Sequence, residues 1–172
     1  MSKSGLFAHF GSKQDLQLAT IAMARQIFEE WVIRPALARP SGLPRLWELL
    51  ERWLSHVEGG IFAGGCFFTS ASFEFDGRPG PVRNAIVQAM RQWLAMLTSA
   101  IEQAQQVGHI NPDLDPARFA LEMYSMAVGA VWALGLLGQR RAIENARETI
   151  LARLRHEARA AGKGEDILLH PA

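Results

Sequence analysis

Residues 116–137 read Pro-Ala-Arg-Phe-Ala-Leu-Glu-Met-Tyr-Ser-Met-Ala-Val-Gly-Ala-Val-Trp-Ala-Leu-Gly-Leu-Leu, and this stretch decides the fold. Asp115 supplies a capping carboxylate, and Pro116 suits the first helical position, where a missing N–H costs nothing. The helix that follows is apolar nearly all round: Phe119, Leu121, Met123, Met126, Val128, Val131, Trp132, Leu134 and Leu136 point in every direction. A helix on the surface of a soluble monomer shows a stripe instead. In a chain of 172 residues one side can face the chain's own core while the other needs a partner, so a symmetric homodimer is expected. A membrane span fits less well, because the uncharged run from Met123 to Leu137 has 15 residues and a bilayer needs about 20.

Outward from this helix, almost every segment repeats its apolar residues at three- and four-residue steps, and none alternates as a strand does. The class is all-α. Ser12 and Asp15 form a capping box at the start of a helix that carries Leu16, Ala19, Met23, Ile27 and Trp31 on one face. Leu18, Ile21, Phe28 and Val32 lie on an adjoining face, and Pro35 disfavours continuation. Leu43, Leu46, Trp47, Leu50, Trp53, Leu54 and Val57 mark a second amphipathic helix, stopped by Gly59-Gly60. A short helix is expected over residues 66–75, then turn formers over 76–81. A long helix from Pro81 is buried along Val82, Ile86, Met90, Trp93, Leu97, Ile101 and Ala104, with Gly108 as its C-terminal cap. The final helix, from about Arg140 to Arg159, buries Ile143, Ala146, Ile150, Leu151 and Leu154, and residues 160–172 read as a flexible tail. The two last helices form the expected dimer interface, through Met123, Ala127, Val131, Leu134, Ile143, Ile150 and Leu154.

Composition narrows the function. Lysine and arginine number 18 against 17 aspartate and glutamate, a net charge of +1, so any nucleic-acid contact must be local. The single cysteine, Cys66, cannot pair within the chain; with no secretory leader legible, a reducing cytoplasm is the simplest location, and Cys66 reads as an inert buried thiol. The glycines of residues 59–65 lack the spacing and the lysine of a phosphate-binding loop and read as a helix stop and tight turn. The five histidines are scattered without ligand spacing, so neither a metal nor a cofactor is expected. No nucleophile-histidine-acid set is legible, and catalysis by an all-α enzyme is the least favoured reading.

The first residues carry the sharpest signal. Ser2-Lys3-Ser4-Gly5-Leu6-Phe7-Ala8-His9-Phe10-Gly11-Ser12-Lys13-Gln14-Asp15-Leu16 resembles the recognition helix and following helix start of the tetracycline-repressor (TetR) family. The downstream plan of long helices resembles it too, as do Gly64-Gly65-Cys66-Phe67-Phe68, Phe73-Glu74-Phe75-Asp76 and residues 78–83. The resemblance implies residues 1–11 as a remnant of the helix-turn-helix domain and residues 12–159 as a ligand-binding and dimerisation domain. It implies DNA contacts from Ser2, Lys3, Ser4, Phe7, His9 and Lys13, the first three nearest the base edges. Lys13 is oddly placed for helix stability, since cations suit the opposite end; a phosphate docked on the free amides would explain it.

Phe7 departs from the tyrosine common in the family, which removes a hydroxyl contact to phosphate. The family's DNA-binding unit also has two helices upstream of Ser2. A lone recognition helix is unstable in water, so the chain as written is expected to bind operator DNA weakly or not at all. The preferred explanation is a start codon assigned inside a longer gene; the other is a shortened protein that dimerises and binds ligand without reading DNA. The resemblance further implies a cavity for a small hydrophobic effector among the middle helices, with Trp53, His56, Phe73, Trp93, Met96 and Tyr124 as wall residues. The implied function is a repressor that holds double-stranded operator DNA and is released from it by that effector.

Overall fold

The computed structural model describes residues 10–62 and 64–162, and among them every regular element is a helix. Ser12 sets the first. Its hydroxyl accepts the Asp15 amide at 3.1 Å and donates to Asp15 Oδ2 at 2.6 Å, so the acid meets the capping hydroxyl, while the Ser12 amide turns to Phe10 O. The helix α1 spans Lys13–Phe28. It does not end at Pro35. A π-helical turn, Glu29–Ile33, widens the register so that the Arg34 amide reaches Glu29 O, and the chain continues into α2, Arg34–Leu37, with Pro35 inside. A widened turn of this kind is one way a helix accommodates a residue that cannot donate.

The remaining helices are α3 (Leu43–Glu58), α4 (Phe67–Phe75), α5 (Pro81–Gln106), α6 (Pro116–Leu137) and α7 (Arg141–Ala160). Their ends follow the chemistry expected of them. Asp115 accepts the Arg118 amide at 3.0 Å, Pro81 and Pro116 open their helices, and Gly138 closes α6 at φ 66° while the Gln139 amide bonds Ala133 O. At about 1.5 Å per residue, α5 is roughly 40 Å long. It packs against α1, α3, α4 and α6 and is the central post of the domain.

The buried stripe of α5 runs through Val82, Ile86, Trp93, Leu97, Ile101 and Ala104 as its spacing predicts, with Met90 only partly covered. In α1 the burial falls on Ile21 and Ala24, and the neighbouring Met23 and Trp31 are exposed at 57% and 59%. Two ion-pair hubs tie α7 to the rest: Arg147 reaches Glu51 at 2.8 Å and Glu58 at 3.0 Å on α3, and Arg153 reaches Glu122 on α6 at 2.8 Å while lying over the Phe119 ring. Burial opposes the charge of both arginines, but their carboxylate partners hold both above the usual arginine range.

The helix α6 is two-sided, and its sides divide differently from the sequence expectation. Met123, Ala127 and Val131 are buried within the subunit, Val131 against Gly65, and Ile143, Ile150 and Leu154 of α7 are equally enclosed. Periodicity finds these six on apolar stripes without saying what covers them, and the subunit's own helices already do. Leu134 is half-buried. The apolar residues left outside are Leu121, Trp132, Leu136 and Leu137. At 22 residues α6 is long and apolar enough to cross a membrane, exceeding the uncharged run inside it, yet it sits against α3, α5 and α7 and is bonded to α7 through Glu122.

Candidate ligand-binding cavity

Between α1, α3, α4 and α5 the domain is hollow. The end of α1, the π-helical turn and the middle of α5 diverge enough to leave a cavity of about 930 Å³. Part of the opening comes from side-chain size: Ala89, Ala95 and Ala100 on α5 stop at Cβ where larger residues would reach across. Phe28, Trp53, Phe68 and Trp93 form an aromatic cluster, and Leu49, Met90 and Met96 continue the apolar wall. Trp93 meets Phe28 edge to face at 5.0 Å and Trp53 at 5.6 Å, spacings at which aromatic pairs attract.

The rim is polar. Arg25 donates to Gln92 Oε1 at 2.8 Å, and Arg45 donates to Gln103 Oε1 at 3.1 Å and twice to the Arg39 carbonyl. The two glutamines lie eleven residues apart on α5, so these arginine-glutamine pairs are separated by roughly 16 Å along the helix.

Three polar groups of residues that border the cavity are packed away from it and lack partners. Trp53 Nε1, Trp93 Nε1 and Thr69 Oγ1 are buried and make no hydrogen bond among the described residues. Leaving such a group unsatisfied costs about 1–3 kcal/mol. Tyr124 stacks on Trp53 at 5.5 Å. Burial pushes its hydroxyl up to about 12, and Cys66 beside it pushes the same way. Thr69 moderates the rise from nearby without hydrogen-bond geometry. His56 is buried between Phe28 and Phe62, and burial lowers its imidazole below the usual value.

Of the wall residues expected from sequence, Trp53, Trp93 and Met96 line the cavity. Tyr124 stands behind Trp53, and His56 packs against Phe28 without lining the space. Phe73 does neither and is 61% exposed, because the wall is built from the opening turns of α4, where Phe68 and Thr69 lie. Phe28, Leu49, Met90 and Ala100 were missed. All four lie on helices whose apolar faces were legible, but which members of a face border a void depends on how far helices diverge. Among the described residues no three His, Cys, Asp or Glu side chains gather as a metal site would require. Lys13 is exposed in the first turn of α1, whereas Ser2, Lys3, Ser4, Phe7 and His9 lie outside the described residues.

The glycine-rich segment before α4 is a packed turn. Gly65 bonds back to Phe62 O at 3.1 Å, and Gly64 O lies 2.8 Å from where a β-carbon on Gly135 would sit, so loop and helix approach through two glycines.

Helices arranged around an apolar cavity, with a long central post and a two-sided helix beside it, define an all-helical domain. Residues 42–150 match the family described as Tetracyclin repressor-like, C-terminal domain, and the chain belongs to the TetR family of transcriptional regulators. The fold is shared with solved structures. A TetR transcriptional regulator from Chloroflexus aurantiacus J-10-fl superposes with a TM-score of 0.78 at 22% identity, over 88% of this chain and 76% of that one. AibR, solved in complex with isovaleryl coenzyme A and operator DNA, gives 0.71 at 22% identity over 92% and 81%. SCO4454, a TetR-family transcriptional regulator from Streptomyces coelicolor, gives 0.72 at 22% identity over 92% and 79%. No curated protein sequence matches the chain.

Proposed function

We propose that the protein is a cytoplasmic, homodimeric repressor whose hold on a palindromic operator is relieved by a small hydrophobic effector in the cavity between α1 and α5. The observation that carries this is the position of α1. Its last turns border the cavity through Arg25 and Phe28, and its first turn, at Lys13, adjoins the segment that resembles a recognition helix. One rigid helix of 16 residues therefore touches both places. A molecule seated against Phe28 acts on the tilt of α1 and so on the spacing of two recognition helices in a dimer. The coupling is limited to the difference in the effector's affinity for the two states. AibR, with the same fold, was solved holding a coenzyme A thioester and operator DNA together.

The dimer is assigned to the outer side of α6. Leu121, Trp132 and Leu136 form one exposed apolar line, with the small Ser125 and Gly129 between them, where a partner helix can approach closely. DNA binding is assigned to Ser2, Lys3, Ser4, Phe7, His9 and Lys13 on the family resemblance. Gel-shift titration of promoter DNA, with the chain alone and with the protein extended through the upstream reading frame, tests the regulator reading. The extended protein should bind one discrete site and release it on addition of apolar compounds. Substrate turnover with no DNA binding would reject it.

A further inference from the structure

The cavity is a trough with unlike ends. Its lining on α5 runs from Ala89 to Gln103, about 21 Å at the helical rise, and opposite it runs from Ala22 through the π-helical turn to Leu37. Between the ends the wall is apolar, through Phe28, Ile33, Leu49, Trp53, Met90 and Met96. At one end stands Arg25, exposed, with the Glu29 carboxylate one turn further along the chain, so that positive and negative side chains lie together there. At the other stands Arg45, half-buried, and Glu29 is the only carboxylate of the lining.

Arg45 is held in place without being neutralised. Its guanidinium spends one hydrogen of each nitrogen on the Arg39 carbonyl and Gln103 Oε1, both uncharged acceptors, and each terminal nitrogen keeps a second hydrogen. Gln103 is itself fixed, since its oxygen also accepts Ser41 at 2.9 Å and its nitrogen donates to Ser99 at 3.3 Å. Glu48, one turn along α3, is taken up by Arg52 at 2.7 Å and by Arg39 at 3.8 Å. An oriented cation therefore stands at the end of an apolar trough.

We infer that the ligand of this cavity is an elongated carboxylate, an unbranched acyl chain ending in an acid, whose head pairs with Arg45 and whose tail lies along the apolar wall. A hydrogen bond between a guanidinium and a carboxylate is about twice as strong as a neutral one, and the planar head matches the arginine fork. An alcohol of the same length would cover the wall and forgo the charge. An ammonium head would meet Arg45 as a like charge. The inference rests on the effector reading above only in using the same cavity, and it narrows a hydrophobic effector to one with an acid at one end.

The test titrates decanoate, hexanoate, 1-decanol and decylammonium into the chain by calorimetry, without DNA. Decanoate should bind roughly tenfold more tightly than decanol, as a hydrogen bond to a charged group provides, with decylammonium weaker than either. Hexanoate should bind more than about tenfold more weakly than decanoate, because its shorter tail leaves part of the wall uncovered. Arg45→Gln should remove the preference for the acid over the alcohol, Arg45→Lys should keep most of it, and Arg25→Gln should leave it unchanged. In the unaltered protein decanoate should move the arginine Nε–H signal that Arg45→Lys deletes from the ¹⁵N spectrum. Equal affinity for acid and alcohol, tighter binding of decylammonium, an acid preference lost in Arg25→Gln but kept in Arg45→Gln, an unmoved Arg45 signal, or no decanoate binding up to its solubility limit would each overturn the inference. Decanoate binding that depends on Arg45 but leaves the operator affinity of the extended protein unchanged would uphold it and reject the regulator reading instead. Operator release by decanol and not by decanoate would do the reverse.

Discussion

His109 Nδ1 accepts the backbone amide of Leu43 at 3.3 Å, so the first turn of α3 is capped by a side chain from the turn that follows α5. The helix has no side-chain cap of its own: its N-cap is Gly42, at φ 104°, and a β-carbon there would run into the His109 ring and lie 2.9 Å from Val107 Cγ2. Replacing His109 by Ala should therefore cost about 1 kcal/mol, the usual value of a lost N-terminal cap. Gly42→Ala should cost more, because it adds backbone strain and displaces the same imidazole. Denaturant unfolding of the two variants checks both, and an unchanged midpoint for His109→Ala would show that the contact contributes nothing.

The chain has one tyrosine, so phenolate absorbance reports Tyr124 alone. Its midpoint should lie near 12, above the ordinary value of 10. The unfolded chain loses this proton first, so stability should fall as pH rises past 10. A midpoint at 10 in the native protein would place the hydroxyl in water.

At the acid end His56 has the matching effect. Burial disfavours its charged form, so between its lowered native value and 6.5 the unfolded chain binds more protons. The stability that depends on neutral His56 is present above pH 6.5 and is lost as pH falls through that window. In His56→Phe, thermal unfolding measured from pH 7.5 to 5 should lose less of its midpoint than in the parent. Parallel curves would remove His56 from the account.

Much of the fold was legible because its helices begin and end on strong local chemistry: Ser12, Asp115, Pro81, Pro116 and Gly108 act on their own neighbours and need no tertiary knowledge. Pro35 was misjudged because a π-helical turn upstream, invisible to residue periodicity, absorbs it. The cavity was half legible. Trp53, Trp93 and Met96 stood out as large residues on apolar faces, but the void depends equally on Ala89, Ala95 and Ala100, which periodicity reads as ordinary core. The same limit holds for Ile143 and Ile150, whose spacing shows that they are covered but not by which chain.

The outer line of α6 gives the oligomer prediction. Leu121→Glu and Leu136→Glu together should shift the protein from dimer to monomer in sedimentation at micromolar concentration and leave its helix content unchanged, since both residues are exposed in the single subunit. Val131→Glu should instead unfold it, because Val131 is 2% exposed and packs against Gly65. A dimer that survives both outer substitutions would move the interface elsewhere.

The central claim is that the cavity governs DNA binding, and filling it tests that directly. Ala100 lines the cavity, and Ala100→Trp would take up part of its volume. Operator affinity of the protein carrying its complete DNA-binding unit is measured by gel shift across a panel of small apolar compounds, parent against variant. At least one compound should release the parent from DNA and leave the variant bound. Equal release of both proteins, or firm operator binding that no compound disturbs, would contradict the account.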